Sequence, residues 1–94
     1  MHHDDPIVQT IRRVVERELS PTRVVDVSVK ESVAFDGEEI LRVRIVFSPE
    51  EGQLDPAKVL GLVRHLREPM QEQGEVRFPL LSFMTPEEID GAAA

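Results

Sequence analysis

The 94-residue chain contains no cysteine, tryptophan or tyrosine, and four phenylalanines are its only aromatic residues. Without cysteine it cannot form a disulfide, a thiolate metal site or a cysteine nucleophile. The few aromatic side chains leave little surface on which nucleic-acid bases could stack. We therefore expect packing or self-association to stabilise the fold.

Long apolar runs and an excess of positive charge are also missing. No apolar run approaches the ~20 residues of a membrane span, and residues 1–5 lack the basic start and apolar stretch of a signal peptide. Eighteen acidic and eleven basic residues give a net charge of −7, which repels polyanions at long range. These features predict a cytoplasmic protein that does not bind membranes and make nucleic acid an unfavoured partner.

Two segments of alternating apolar and polar residues around Asp36-Gly37 predict a β-hairpin. The apolar face consists of Val25, Val27, Val29, Val33 and Phe35 in the first strand and Leu41, Val43, Ile45 and Phe47 in the second. A two-residue turn would place these faces on opposite sides of the hairpin. A three-residue loop, residues 36–38 with Gly37 in the left-handed conformation, aligns them.

That loop predicts a register in which Val33 pairs with Leu41 and Val29 with Ile45. Glu31 then lies opposite Val43 and is the one charge on the apolar face. Because a buried unpaired carboxylate is costly, Glu31 must lie beyond the cover of the helices or be turned outward by a second bulge.

A helix is predicted on each side of the hairpin. Asp5-Pro6 and Asp55-Pro56 are N-cap and N1 signals. Apolar residues then recur at helical spacing: Ile7, Val8, Ile11, Val14, Val15 and Leu19 in the first helix, and Val59, Leu62, Val63, Leu66 and Met70 in the second. The first helix ends at Ser20-Pro21. An acidic turn at residues 48–53 precedes the second helix, and Gly61 within it indicates close helix packing.

The end of the second helix is left open by Pro69. Proline removes one helical hydrogen bond and clashes with the carbonyl one turn earlier. The helix therefore either stops near Arg67 or continues as a kinked final turn to Gly74.

The third strand, residues 76–84, is apolar on both faces from Phe78 to Phe83 except at Ser82. Pro79 within it indicates a sheet edge or a bulge. An edge strand with two apolar faces is prone to pair with another chain. We expect this strand to mediate a homodimer or to bind a protein partner.

The predicted fold class is α+β: a single small domain of order α-β-β-α-β, with a three-stranded mixed sheet and both helices on one face. The domain spans residues 6–85, and residues 1–5 form a flexible tail. Thr85 to Glu88 match a capping box, but the segment 86–94 is expected to fray because a helix this short does not persist alone.

This order resembles that of the K-homology type of RNA-binding domain, which clamps the RNA backbone with a GXXG loop. The nearest segment, residues 67–72, contains no glycine. The order also resembles small scaffold domains that bind iron–sulfur clusters, which require cysteine ligands. Since no motif of either group is present, no family is assigned.

Two candidate constellations lie outside the sheet. His2, His3, Asp4 and Asp5 could bind Cu²⁺ or Ni²⁺, or form a tail with incidental metal affinity. Lys58, Arg64, His65 and Arg67 could form an anion-binding stripe or a solvated helix face, with His65 either a surface residue or a general base.

On the sheet face away from the helices, Ser28, Lys30, Ser32, Arg42 and Arg44 predict a cationic patch. The nearby Asp26 makes a cross-strand ion-pair network the alternative. We predict no catalytic, cofactor-binding or metal-binding residue.

The predicted function is a non-enzymatic protein-interaction module, an accessory or antitoxin-like protein that self-associates or binds a partner. Its interface candidates are Phe78, Leu80, Leu81, Phe83, Lys30, Arg42 and Arg44. The alternative is an RNA-binding K-homology-like domain that lacks the GXXG loop.

Overall fold

A computed structural model describes residues 1–49 and 54–93. The elements in chain order are α1 (Pro6–Leu19), β1 (Arg23–Val33), β2 (Glu39–Ser48), α2 (Pro56–Glu72), β3 (Phe78–Met84) and α3 (Pro86–Ala93). The predicted α+β class and α-β-β-α-β order are confirmed, with α3 added after β3. Residues 50–53 of the predicted acidic turn, and Ala94, lie outside the described residues. None of the helices described has the length and apolarity to cross a bilayer.

The sheet has the strand order β1-β2-β3, with β1 antiparallel and β3 parallel to β2. The predicted parallel crossover through α2 is therefore confirmed. β3 is an edge strand, as Pro79 indicates, and Pro79 lies opposite Leu41 in the ladder. An edge strand tolerates proline because its outward backbone N–H groups have no neighbouring strand to donate to, so the N–H that proline lacks costs little.

The register of the hairpin differs from the prediction by two residues. Val29 pairs with Val43 rather than with Ile45, and Glu31 pairs with Leu41. The apolar faces still coincide because a shift of two residues preserves the alternation of side chains. A bulge does occur, but between Val24 and Asp26, far from Glu31.

The loop of the hairpin explains this difference. The Ala34 carbonyl accepts from Gly37 N–H at 2.9 Å, and Ala34 N–H donates to the Glu38 carbonyl at 2.8 Å. The three-residue loop is therefore Phe35-Asp36-Gly37, one residue earlier than predicted. Gly37 has φ +89°, the left-handed conformation expected of it.

The core lies between the sheet and the two long helices. Val27 and Val29 of β1 and alternate residues of β2 pack against the apolar stripes of α1 and α2. The residues less than 2% exposed with the largest side chains include Ile11, Leu19, Leu41, Ile45, Leu62, Leu66 and Met70. Both helices therefore cover one face of the sheet, as predicted.

The helix starts follow the sequence signals. Asp5 caps α1 by accepting from Ile7 N–H at 2.9 Å, and Asp55 caps α2 by accepting from Ala57 N–H at 2.9 Å. Each cap satisfies a backbone donor that the first helical turn leaves unpaired.

The second helix continues through Pro69 to Glu72, so of the two predicted ends the stop near Arg67 is wrong and the continuation into a final turn that leads to Gly74 is confirmed. Its end is built around Gly74, with φ +83°. Gly74 N–H donates to the Gln71 carbonyl at 2.9 Å, and the next amide, of Glu75, donates to the Met70 carbonyl at 2.9 Å. This pair of bonds is a Schellman motif, which satisfies carbonyls that the last turn leaves free.

The C-terminal segment forms a helix where fraying was expected. The capping box is present: Glu88 N–H donates to Thr85 Oγ1 at 3.3 Å, and Thr85 N–H donates to Glu88 Oε1 at 3.1 Å. α3 also contacts β2, and such a tertiary contact stabilises helices that are too short to persist alone.

Candidate protein interaction surface

The surface of interest is the sheet face opposite α1 and α2, which we call the open face. Because successive side chains of a strand point to opposite sides, it carries the even-numbered residues of the sheet. They are Asp26, Ser28, Lys30, Ser32, Ile40, Arg42, Arg44, Val46, Phe78, Leu80, Ser82 and Met84, whereas Val24, before the bulge, packs against the core. Only the ends of the central strand are buried on this face, at Ile40 and Val46.

The open face gathers most of the predicted interface residues. Phe78 and Leu80 lie on it, 45% and 44% exposed. Leu81 and Phe83 face the other way and pack, partly buried, against the core. The strand apolar on both faces is therefore covered on one face by its own chain and exposed on the other.

The three cations of the patch are brought together by the ladder. Lys30 lies directly opposite Arg42 across the β1–β2 pair, and Arg44 lies opposite Ser28. Across the β2–β3 pair, Arg42 is level with Leu80. Like charges directly opposite each other on a sheet destabilise it, so this arrangement is unfavourable within the isolated chain.

The alternative of an ion-pair network on this face is wrong. Asp26 pairs instead with Arg12 of α1, at 3.6 Å. Among the described residues no carboxylate lies within ion-pair distance of Lys30, Arg42 or Arg44. Within residues 1–49 and 54–93, the one side-chain hydrogen bond of the patch runs from Arg42 Nε to Ser32 Oγ, at 3.0 Å.

Lys30, Arg42 and Arg44 line a cavity of about 590 Å³ on the open face. These three residues contribute its cations, and Leu80 and Met84 on β3 and Met1 beside β1 contribute apolar side chains. Met1, predicted to belong to a flexible tail, packs against the core, and its ammonium donates to the Val29 carbonyl at 2.7 Å. Cationic groups beside exposed apolar side chains suit a partner that presents carboxylates next to an apolar group.

The other candidate constellations are not assembled into sites. His2 lies 3.6 Å from Asp4, while Asp5 is occupied as a helix cap. No group of three or more histidines and carboxylates suited to a metal ion occurs in the described part of the chain.

The α2 stripe is divided among separate contacts. Lys58 Nζ donates to the Ser20 carbonyl at 2.6 Å, and His65 Nε2 lies 3.3 Å from Glu18 Oε1. Both contacts join α2 to the end of α1, whereas Arg64 and Arg67 are exposed. The packing role predicted for Gly61 is wrong, because an added Cβ there would meet only the His65 side chain, at 3.9 Å.

The sequence interpretation missed two features. Phe35, assigned to the apolar face of β1, lies in the hairpin loop and is fully exposed (107% relative accessibility). Glu75 and Arg77 form a bidentate ion pair that also reaches Glu31. The position of Phe35 follows from Gly37 being the third rather than the second residue of the loop. The contact of Arg77 with Glu31 forms only because the start of β3 lies close to the hairpin.

Comparison with family models, curated proteins and solved structures finds no match.

Proposed function

We propose that the protein is a small non-enzymatic interaction module that binds another protein surface on its open face. Phe78 and Leu80 carry this proposal. They stand on alternate positions of the edge strand and leave nearly half of each large apolar side chain exposed, next to cations that have no carboxylate partner in the described residues.

The composition of the open face supports a protein partner. Phenylalanine, methionine and arginine are enriched in protein interfaces, and Phe78, Met84, Arg42 and Arg44 represent all three residue types on this face. Exposed leucine alone carries less weight, since Leu60 on α2 is 84% exposed and does not line the cavity of the open face.

The contrast between Leu80 and Leu60 provides the experiment. A photocrosslinking amino acid placed at position 80 should capture a defined protein in native extract, and the same group at position 60 should not. Without the crosslinker, the affinity-tagged wild-type chain should capture the same protein; Leu80→Ser in the tagged chain should abolish this capture, and Leu60→Ser should preserve it. Equal capture at both positions would contradict the proposal, because it would show adhesion to any exposed apolar site.

RNA binding is the second candidate, because the open face carries both the exposed ring of Phe78 and the three cations Lys30, Arg42 and Arg44. Aromatic rings and cations together can bind single-stranded nucleic acid. The net charge of −7 and the single exposed aromatic residue of this face favour protein instead. Titration of random RNA at about 150 mM salt should show no sub-micromolar binding; salt-sensitive binding lost in Arg42→Glu/Arg44→Glu would favour RNA.

A further inference from the structure

The end of the hairpin has the chemistry that the open face lacks. Phe35 is fully exposed in the loop (107%), and Asp36, Glu38 and Glu39 beside it are exposed as well. Among the described residues none of these carboxylates forms an ion pair. We call residues 35–39 the hairpin tip.

We propose that the open face binds the hairpin tip of a second copy of the chain, with Phe35 entering the groove beside Leu80 and Met84. This inference rests on the proposed function of the open face and names the partner. The protein then forms a homodimer through two unlike surfaces of one chain.

Charge complementarity selects this occupant. The tip presents the exposed carboxylates of Asp36 and Glu38 beside one apolar ring, and the groove presents Lys30, Arg42 and Arg44 beside apolar side chains. If two open faces instead stacked directly, with the cations of one copy over those of the other, like charges would meet, which is strongly disfavoured at an interface.

An offset two-fold arrangement avoids that repulsion. Along β1, the tip lies about 17 Å from Lys30, since each strand residue advances ~3.3 Å. A two-fold axis midway between tip and groove places each tip over the groove of its partner. Each copy then gives one tip and receives one, and the assembly closes at two copies.

Charge reversal tests the pairing. A tip variant, Glu38→Lys, and a face variant, Arg42→Glu/Arg44→Glu, each place like charges in both contacts. Sedimentation velocity from low to high micromolar concentration should show dimerisation weakened about tenfold or more in each. Asp36 is left unchanged because its Oδ1 accepts from Glu38 N–H at 3.1 Å and orders the loop.

The mixture of the two variants is the decisive measurement. The lysine tip faces the glutamate groove in one contact, and the native tip faces the native groove in the other. Native mass spectrometry should therefore detect a heterodimer in the equimolar mixture and monomers in each separate sample. Thermal unfolding of both variants establishes that they are folded.

Phe35→Ser should also abolish the dimer, while Leu60→Ser, which removes another highly exposed apolar side chain, should preserve it. A wild-type monomer throughout the concentration range, or a dimer insensitive to both reversals, would overturn the inference. If a Leu80-dependent protein partner is still captured in that case, the proposed function stands without self-association. A monomer that binds RNA through Arg42 and Arg44 would refute both.

Discussion

The ion pair of Glu75 and Arg77 provides the most detailed prediction. Glu75 accepts from Arg77 Nε at 2.9 Å and Nη2 at 2.8 Å, and also from the Arg77 amide at 3.1 Å. The two side chains are 9% and 26% exposed. Arg77 Nη1 also lies 3.3 Å from Glu31 Oε2, whose side chain is 65% exposed. The cluster thereby joins the segment before β3 to β1 across the central strand.

Burial determines how much each of the two contacts of Arg77, with Glu75 and with Glu31, contributes to the free energy of unfolding. Hydrogen bonds to a charged group contribute about 1.5–3 kcal/mol, so Glu75→Gln should lower the free energy of unfolding by about that amount. Exposed ion pairs contribute about 0–1 kcal/mol, so the matched control Glu31→Gln should have a much smaller effect. Combining Glu75→Gln with Arg77→Met in a double-mutant cycle isolates the coupling, expected at about 1–3 kcal/mol.

The pair also predicts a pH dependence. Hydrogen bonds from Arg77 hold the pKa of Glu75 below its ordinary value of 4.5, against the opposing effect of desolvation. The ionised carboxylate is therefore the form that folding favours. Its contribution is complete above pH 4.5 and is lost as the pH falls through the lower pKa of the folded state. The stability difference between wild type and Glu75→Gln should shrink in acid.

Urea unfolding of the variants at neutral pH and at acidic pH measures both effects. Glu31→Gln serves as the control at each pH, because it removes a carboxylate of similar chemistry but greater exposure. Equal losses for Glu75→Gln and Glu31→Gln, or a difference for Glu75→Gln that persists unchanged in acid, would refute this reasoning.

Three further substitutions test the fold by the same unfolding measurement. Gly37→Val should destabilise by about 1–2 kcal/mol, since a branched residue resists the left-handed conformation, whereas Gly37→Asn should cost less; equal stabilities would contradict the loop. Gly61→Ala should stabilise α2 by about 0.5–1 kcal/mol, because only the His65 side chain is near the added methyl. A lower free energy of unfolding in this variant would contradict the open space beside Gly61. Leu62→Ala should cost about 2.7–5 kcal/mol, as Leu62 is 0% exposed; a cost below Gly37→Val would contradict the core.

Local patterns were sufficient to predict α1, α2, the three strands and their order, but not α3, whose segment was expected to fray. The caps at Asp5 and Asp55 depend on neighbouring residues, and helical and strand periodicities depend on spacing alone. Both are properties of short segments. The class, the parallel β3 and the edge position indicated by Pro79 follow from them.

The alternation of apolar and polar residues determined which side chains of each strand face the core, but not the exact register in which the strands pair. Registers that differ by two residues present the same side chains to the core. The hydrogen bonds of Ala34 with Gly37 and Glu38 select the earlier loop. This single step moves Phe35 from the predicted apolar face to the exposed tip.

The sequence by itself determined which residues could form an interaction surface, because alternation places Lys30, Arg42, Arg44 and Leu80 on one face. Only the tertiary structure decided that this face stays uncovered and its cations unpaired in the described residues. Asp26 is drawn to Arg12 on a different element, and Leu81 turns into the core beside Leu80. Ion pairs and burial depend on groups distant in sequence, and their approach is set by packing rather than by any local pattern.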